Sequence, residues 1–439
     1  MVAWSLFTVG GVYVWAGVPL MIAALALAAI GRPRPGASRD TRTLDRLLFL
    51  ALTAVALQIV PLPPALRAAL SPHAETVRSA LVLGETGAGV WRPISIDPPA
   101  TIYSFGLVVA TLIVFWTARR AFAHGTTRRV ITVVALSGLM ASLVAIVLHA
   151  SADRTLIYGR WPAIDIGARP YGPFVNRNHF AAWLVMAVPI SLGFVAAWLA
   201  ERRSSAGVAK RVAAMFEALG SREAWVAASC AVMVLALAIS TSRSGLIALT
   251  SAAVITTWAV RARVGRRAWL LIAIAVVTLV VIGSVYVNVQ PLLSRVDETI
   301  EVGAGGRPRI WKETLAVVRD FWPAGTGLGT YQDAMLVYQE DKRGGFFNQA
   351  HNQYLHLLSD GGLLLTLPAL FAAVAFIALL RVRLAGDRSP TQWLRIGAAT
   401  AILAVAIQGI WETGLRMPAN GVLFAVAAAI AVHRGNADA

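Results

Sequence analysis

The sequence is poor in charge and in cysteine. Only 14% of its 439 residues are Asp, Glu, Lys or Arg, and there is one cysteine, Cys230. A single thiol excludes an internal disulfide framework and a cysteine metal site. Lying inside an apolar run, Cys230 reads as a small residue facing lipid or a neighbouring helix. The segments assigned below to the outer face carry no D-x-D, H-x-x-x-H or H-E-x-x-H pair. A bound divalent ion is therefore unsupported, and no metal or other cofactor is expected. No phosphate-binding loop or nucleotide fingerprint occurs either, which argues against an ATP-driven machine. Inverted repeats of broken helices mark many transporters, and the sequence shows no internal repeat. No charged segment precedes the first apolar run, so no cleavable signal peptide is expected.

What is abundant is apolar surface. Hydrophobic residues make up 57% of the chain and the mean hydropathy is +0.67. Runs of about 18 or more apolar residues recur, each long enough to cross a ~30 Å hydrocarbon core as a helix. Backbone polar groups in lipid must be paired within the segment, and these runs are too long for barrel strands. The fold class is all-α and polytopic. Spans are placed near 9–30, 47–63, 101–118, 130–150, 181–200, 226–241, 246–260, 268–288, 363–380, 396–412 and 418–432. The stretch "GGVYVWAGVP" interrupts the first, so the count is eleven or twelve. Three regions are expected: an N-terminal bundle over 1–288, a large outer loop over 289–362, and C-terminal spans with a short tail over 363–439.

The connecting loops alternate in character. One set, with the C-terminal tail, is short and Arg-rich and has a net charge of +16; the other includes the longest loops and is near +1. Lys and Arg accumulate on the cytoplasmic side. The long loops therefore face outward. The formal charge of +17 is an orientation signal, and nucleic acid is not an expected partner.

The loop 289–362 mixes helical and turn signals. "RIWKETLAVVRDFW" has apolar residues at Ile310, Trp311, Leu315, Val318 and Trp322, a helical spacing. "PAGTGLGTY" breaks it, and "TYQDAMLVYQE" gives a second helix. A third is expected from near Asn348 through His351 to Leu358, with His351, Tyr354, Leu355 and Leu358 on one face. The loop is read as a small helical cap. On this spacing His351 points toward the membrane body, either as a satisfied core histidine or as a working one. His356 falls on another face, as a solvated or structural residue.

Arginines gather on the same side. Arg243 sits in "STSRSG", at the tip of a two-span hairpin, where a charge close to hydrocarbon needs a partner. Arg307 and Arg309 follow glycines in "GGRPRIW". Planar guanidinium forks suit phosphate oxygens; interfacial snorkelling is the alternative for each. A further patch, "RPYGPFVNRNHFAAW", carries Arg169, Asn176, Arg177, Asn178 and His179 at the start of a span, either as donors or as an interfacial anchor. One histidine, several arginines and few carboxylates point to a phosphate-bearing substrate.

Taken in order, "NRNHFAAWLVMAVPISLG", "STSRSGLIAL", "GRPRIWKETL…FWPAGTGLGTYQ" and "AHNQYLHLLSDGGL" resemble the O-antigen ligase and O-antigen polymerase superfamily. "LQIVPLPPAL" and "GLRMPANGVLF" look like the same family. The resemblance spans nearly the whole chain. It implies a glycosyltransferase of the bacterial inner membrane, working at the periplasmic face without metal or ATP. The donor would be a glycan on undecaprenyl pyrophosphate. The acceptor would be lipid A-core for a ligase, or another carrier-linked glycan for a polymerase of O-antigen or exopolysaccharide. By the same resemblance the motif histidine falls on His351, and the family's arginines fall on Arg243 and on Arg307, with Arg309 as the alternative. Asn352 and Tyr354 of "HN-x-YL", together with Arg177, Asn178, His179 and Glu412, are candidate supporting residues. Two positions depart from the family pattern: Asp360 stands where members often have Glu, and Glu412 of "WETGL" where they often have Asp before an aromatic.

The implied chemistry is an inverting displacement. The arginines neutralise the leaving pyrophosphate in place of a metal. Neutral His351 takes the acceptor proton, as a histidine titrating near pH 6.5 can. Two other classes stand against this reading: a polysaccharide transporter or flippase, which paired charges in mid-span would favour, and a non-catalytic scaffold in the membrane.

Overall fold

The computed structural model describes residues 1–81, 90–153, 155–163, 169–203, 221–263, 265–266, 269–270, 307–340 and 347–433. The expected span at 268–288 lies almost wholly outside them. The described chain is all-α and polytopic, with almost no sheet. Among the described residues the one sheet is a hairpin pairing β1, Leu156–Ile157, with β2, Trp161–Pro162.

The first expected span divides. Helix α1 is Val2–Phe7 and α2 is Val14–Gly31. Gly10 and Gly11 between them have φ of 66° and 75°, a left-handed backbone that glycine adopts without steric cost. Then come α3, Arg39–Ile59; α4, Pro64–Leu70; α5, Ala74–Leu81; α6, Pro98–Ala123; α7, Thr127–Ser151; and α8, Arg177–Arg203. After the gap follow α9, Arg222–Ile239, and α10, Arg243–Ala259. The remainder is α11, Arg307–Phe321; α12, Tyr331–Tyr338; α13, Gln353–Gly386; α14, Gln392–Gln408; and α15, Pro418–Val432. Six of the described helices are long and apolar enough to cross a membrane: α2, α6, α7, α8, α9 and α13. The shorter α14 and α15 are also apolar.

Helix α8 is the axis of the bundle. Phe180 through Ala187 are all fully buried. It packs against α14 where Gly193 faces Gly397. A Cβ on Gly193 would lie 2.5 Å from the Trp393 carbonyl, and one on Gly397 would lie 2.4 Å from that of Pro189. Lipid tails compete with apolar side chains for contact, so helices in a membrane associate by close backbone approach at small residues. This antiparallel crossing fixes the start of α8 beside the end of α14. The Gln408 side chain closes the seam by donating to the Asn178 carbonyl at 3.1 Å.

A second, smaller core lies over this end of the bundle. Ala74 and Val77 of α5, Ile96, Val317 and Phe321 of α11, Tyr331, Ala334 and Met335 of α12, and Ala350 form one buried cluster. The outer layer thus draws on the 64–97 segment as well as on 307–350. In α11 the buried positions are Ile310, Glu313, Thr314, Val317 and Phe321. The face expected from the sequence was different: Leu315 and Trp322 are exposed. The spacing was helical, but the inward stripe includes Thr314, which bonds the Tyr331 hydroxyl at 2.8 Å, and Glu313. Polar residues with partners took places the apolar pattern had given to their neighbours.

The glycine loop between α11 and α12 sits against a kink in α13. Gly362 inside α13 has φ 53°, ψ −162°. Its amide neighbours leave no room for a side chain: a Cβ would lie 2.4 Å from the Gly325 nitrogen. The kink separates an outer stretch, 353–361, from the apolar stretch that begins at Leu363. Gln58 at the end of α3 spans the junction, donating to the carbonyls of Ala324 (2.6 Å) and Asp360 (2.9 Å) and accepting from the Leu328 amide (3.1 Å).

Candidate active site

The expected third helix does not run through His351. Helix α13 starts at Gln353, and Asn352 is its N-cap, accepting from the amides of Tyr354 and Leu355 at 3.0 Å each. An asparagine side chain satisfies the orphan donors of a first turn, so a polar residue that looked helical stops the helix instead. His351 precedes the cap with φ 48°, a strained left-handed conformation that a non-glycine residue holds only when its surroundings impose it. Its direction is therefore set by loop geometry and not by helical spacing.

The loop is pinned from several sides. The Trp311 indole donates to the Ala350 carbonyl (3.0 Å), the Gln353 amide to the Gly409 carbonyl (2.7 Å), and Arg416 to the Asn348 carbonyl (3.0 Å). Gln349 accepts from Thr413 and meets His179 Nε2 at 3.2 Å. The Asn420 amide in turn holds the His179 and Gly414 carbonyls.

Held this way, the His351 ring faces Glu412, with Nδ1 3.4 Å from Oε2. Glu412 is buried, at 1% exposure, while His351 keeps 24%. The carboxylate has two further partners on its other oxygen: Arg307, at the start of α11, and the Asn178 amide at 2.7 Å. A buried carboxylate is costly unless paired and hydrogen-bonded, and this one is both. Glu412 is the centre of the cluster, joining residues distant in sequence: 178, 307, 351 and 412.

Arg243 enters the same neighbourhood through its flanks. Ser242 caps α10 and donates to Asn178 Oδ1 at 2.8 Å; Ser244 accepts from Gln408 at 3.4 Å. The half-buried Arg243 side chain forms no ion pair with a described residue. The other expected residues divide. Arg177 donates to Thr241 Oγ1 at 2.6 Å. Arg309 lies 3.7 Å from Glu313 on its own helix. His179 is buried against Gln349. The exposed Tyr354 donates its hydroxyl to the Ala406 carbonyl at 2.7 Å. His356 is not solvated: it is buried at 2% and packs 4.5 Å from the Tyr331 ring.

Residues 228–370 match the family model for O-antigen ligase. This segment is similar to the O-antigen ligase family and supports a resemblance to the O-antigen ligase and polymerase superfamily. Comparison with curated proteins gives no match. The matched segment includes Arg243, Arg307, Arg309, His351, Asn352 and Tyr354. Asn178, Glu412 and Arg416 lie outside it. The residues that sequence reading passed over are Gln349, Gln408, Thr413, Arg416 and Asn420. Each acts by pairing with something far away in the chain, and no local spacing signals that. The chain is a multi-pass membrane protein, and its matched segment supports a ligase- or polymerase-like function in general terms.

Proposed function

We propose that this protein transfers a glycan from undecaprenyl pyrophosphate to an acceptor hydroxyl, in the manner of an O-antigen ligase acting on lipid A-core, at the periplasmic face of the bacterial inner membrane. The observation that carries the reading is the contact of His351 Nδ1 with the buried Glu412. A carboxylate facing Nδ1 holds the proton there and leaves Nε2 with its lone pair free. The same orienting logic operates in hydrolase triads, where the carboxylate also stabilises the imidazolium that forms.

The chemistry is a single displacement. Nε2 of His351 takes the proton of the acceptor hydroxyl as its oxygen attacks the anomeric carbon. The bond from that carbon to the phosphate oxygen breaks, and the electron pair leaves with the diphosphate. Attack opposite the leaving group inverts the anomeric centre. Arg243, which has no ion pair with a described residue, supplies positive charge for the departing phosphate. Arg307 shares its charge with Glu412 and so acts on the carboxylate that orients the base. Asn178 completes that support.

The test is transfer by the purified protein, with a labelled carrier-linked glycan and an acceptor, in the absence of nucleotide. Labelled acceptor is the expected product; its absence with a range of acceptors contradicts the reading. The superfamily includes polymerases, and a deletion strain separates the two. Loss of all polymer from lipid A-core marks a ligase. A single capped repeat marks a polymerase instead.

A further inference from the structure

The arginines near His351 differ in what already neutralises them. Arg307 is paired with Glu412 and Arg309 faces Glu313. Two others have no carboxylate within ion-pair distance among the described residues: Arg243 and Arg416. A guanidinium with no anion beside it, held within a protein, is poised for an external one.

Arg416 closes the short 3-10 turn Gly414–Arg416, four residues after Glu412. The one hydrogen bond its side chain makes to a described residue runs from Nη1 to the Asn348 carbonyl. Five donors are available on a guanidinium, so one bond leaves the rest of the fork unused. The residue is densely surrounded, and burial lowers its pKa from the ordinary arginine value. It nevertheless keeps accessible surface.

Its surroundings are polar and titratable. His179, His356, Tyr331 and Asp360 lie within its electrostatic reach. The charge of Asp360 favours the Arg416 cation, but no ion pair joins them: Asp360 Oδ2 accepts from the Gly329 amide at 2.8 Å and faces His356 at 3.5 Å. The bond to Asn348 ties Arg416 to the loop that leads, three residues on, to His351. Asn420, through the Gly414 and His179 carbonyls, locks the turn against the start of α8.

We infer that Arg416 is a diphosphate-gripping residue of this site, acting with Arg243 on the leaving group, while Arg309 is not. The inference rests on the proposed transfer from a polyprenyl diphosphate. A diphosphate carries two phosphoryl groups, and two guanidinium forks without an ion-pair partner among the described residues match it better than one.

The test is direct binding, with no transfer step. Undecaprenyl diphosphate and undecaprenyl monophosphate are titrated separately into the full-length protein in lipid nanodiscs. The wild type is expected to prefer the diphosphate. Arg416→Gln should lose about tenfold of that preference, the worth of one charged hydrogen-bonding group, and Arg416→Lys should recover part of it. A residue serving only to hold the Asn348 carbonyl would lower turnover and leave the diphosphate-to-monophosphate ratio unchanged. That unchanged ratio in a folded Arg416→Gln or Arg416→Lys protein overturns the inference alone. A wild-type protein that does not bind the diphosphate overturns the proposed function and this inference together.

Discussion

Two histidine–carboxylate pairs lie five residues apart on one segment, and they are built for opposite ends. His351 and Glu412 are 3.4 Å apart; His356 and Asp360 are 3.5 Å apart. In the first pair the carboxylate faces Nδ1, and Nε2 has no partner among the described residues. In the second the carboxylate faces Nε2 while Nδ1 accepts the Ala350 amide at 3.3 Å. Nε2 of His356 lies beside Asp360 without a hydrogen bond, and the ring is buried against Tyr331. His351 keeps one nitrogen for a substrate and a quarter of its surface for access. The chemical groups are the same, and tautomer and exposure divide a base from a structural post.

The largest effects should come from breaking this contrast directly. His351→Ala is expected to lower turnover about 10³-fold, the usual worth of a general base, with little change in melting temperature. His356→Ala should do the reverse. It empties a buried site and removes the neighbour of Asp360, costing about 2–4 kcal/mol of stability, while the folded fraction keeps most of its specific activity. Thermal unfolding and activity per folded molecule, measured on both variants, check the pair. If both variants lost activity alike at equal stability, the distinction would fail.

Glu412→Gln comes next. An amide cannot hold the imidazolium as a carboxylate does, and loss of an orienting partner typically costs 10–100-fold. Turnover should fall by about that factor, with donor binding less affected. Arg307→Ala should imitate it in part, because Arg307 bonds the same carboxylate. Arg309→Gln should stay within about threefold of wild type, since its charge faces Glu313 on its own helix and such pairs are worth a few tenths of a kcal/mol. A transfer defect as large as that of Arg307→Ala would reverse the order of these two arginines.

The smallest effect concerns pH and the outer layer. Burial raises the Asp333 carboxyl to about 6, with Asp97 and Asp360 adding repulsion. A folded-state pKa above the unfolded value means that the folded protein holds the proton more tightly. This contribution to stability is therefore full below about 4 and is lost as pH rises through about 6. Asp333→Asn should raise the melting temperature at pH 7 and make little difference at pH 4, as paired thermal scans would show.

Much of the bundle was legible in the sequence, and so was the type of chemistry. Apolar runs of span length sit where α6, α7, α8 and α9 are found, because lipid demands that pattern. The first span was read as interruptible at its glycines, and the structure breaks it there. The site was legible in its ingredients and not in its connections. Sequence spacing placed His351 on a helix face, but Asn352 caps the helix after it. It gave Glu412 only a supporting place, at a departure from the family pattern, yet that residue joins three of the candidates. Arg416 lay in the family-like stretch "GLRMPANGVLF" but was not singled out, since its surroundings come from residues 179, 331, 348 and 360. Periodicity reports which face of an element is apolar. It is silent on which distant polar group will arrive opposite, and that is decided by the crossing of α8 and α14 at Gly193 and Gly397.

The most direct measurement is single-turnover transfer by purified His351→Ala protein, loaded with labelled carrier-linked glycan and supplied with acceptor. Retained donor binding with a transfer step slowed by about three orders of magnitude is the outcome expected of a base poised on Glu412. Transfer at close to the wild-type rate would contradict it, and would leave the cluster at Glu412 as a structural tie between the outer helices and the bundle.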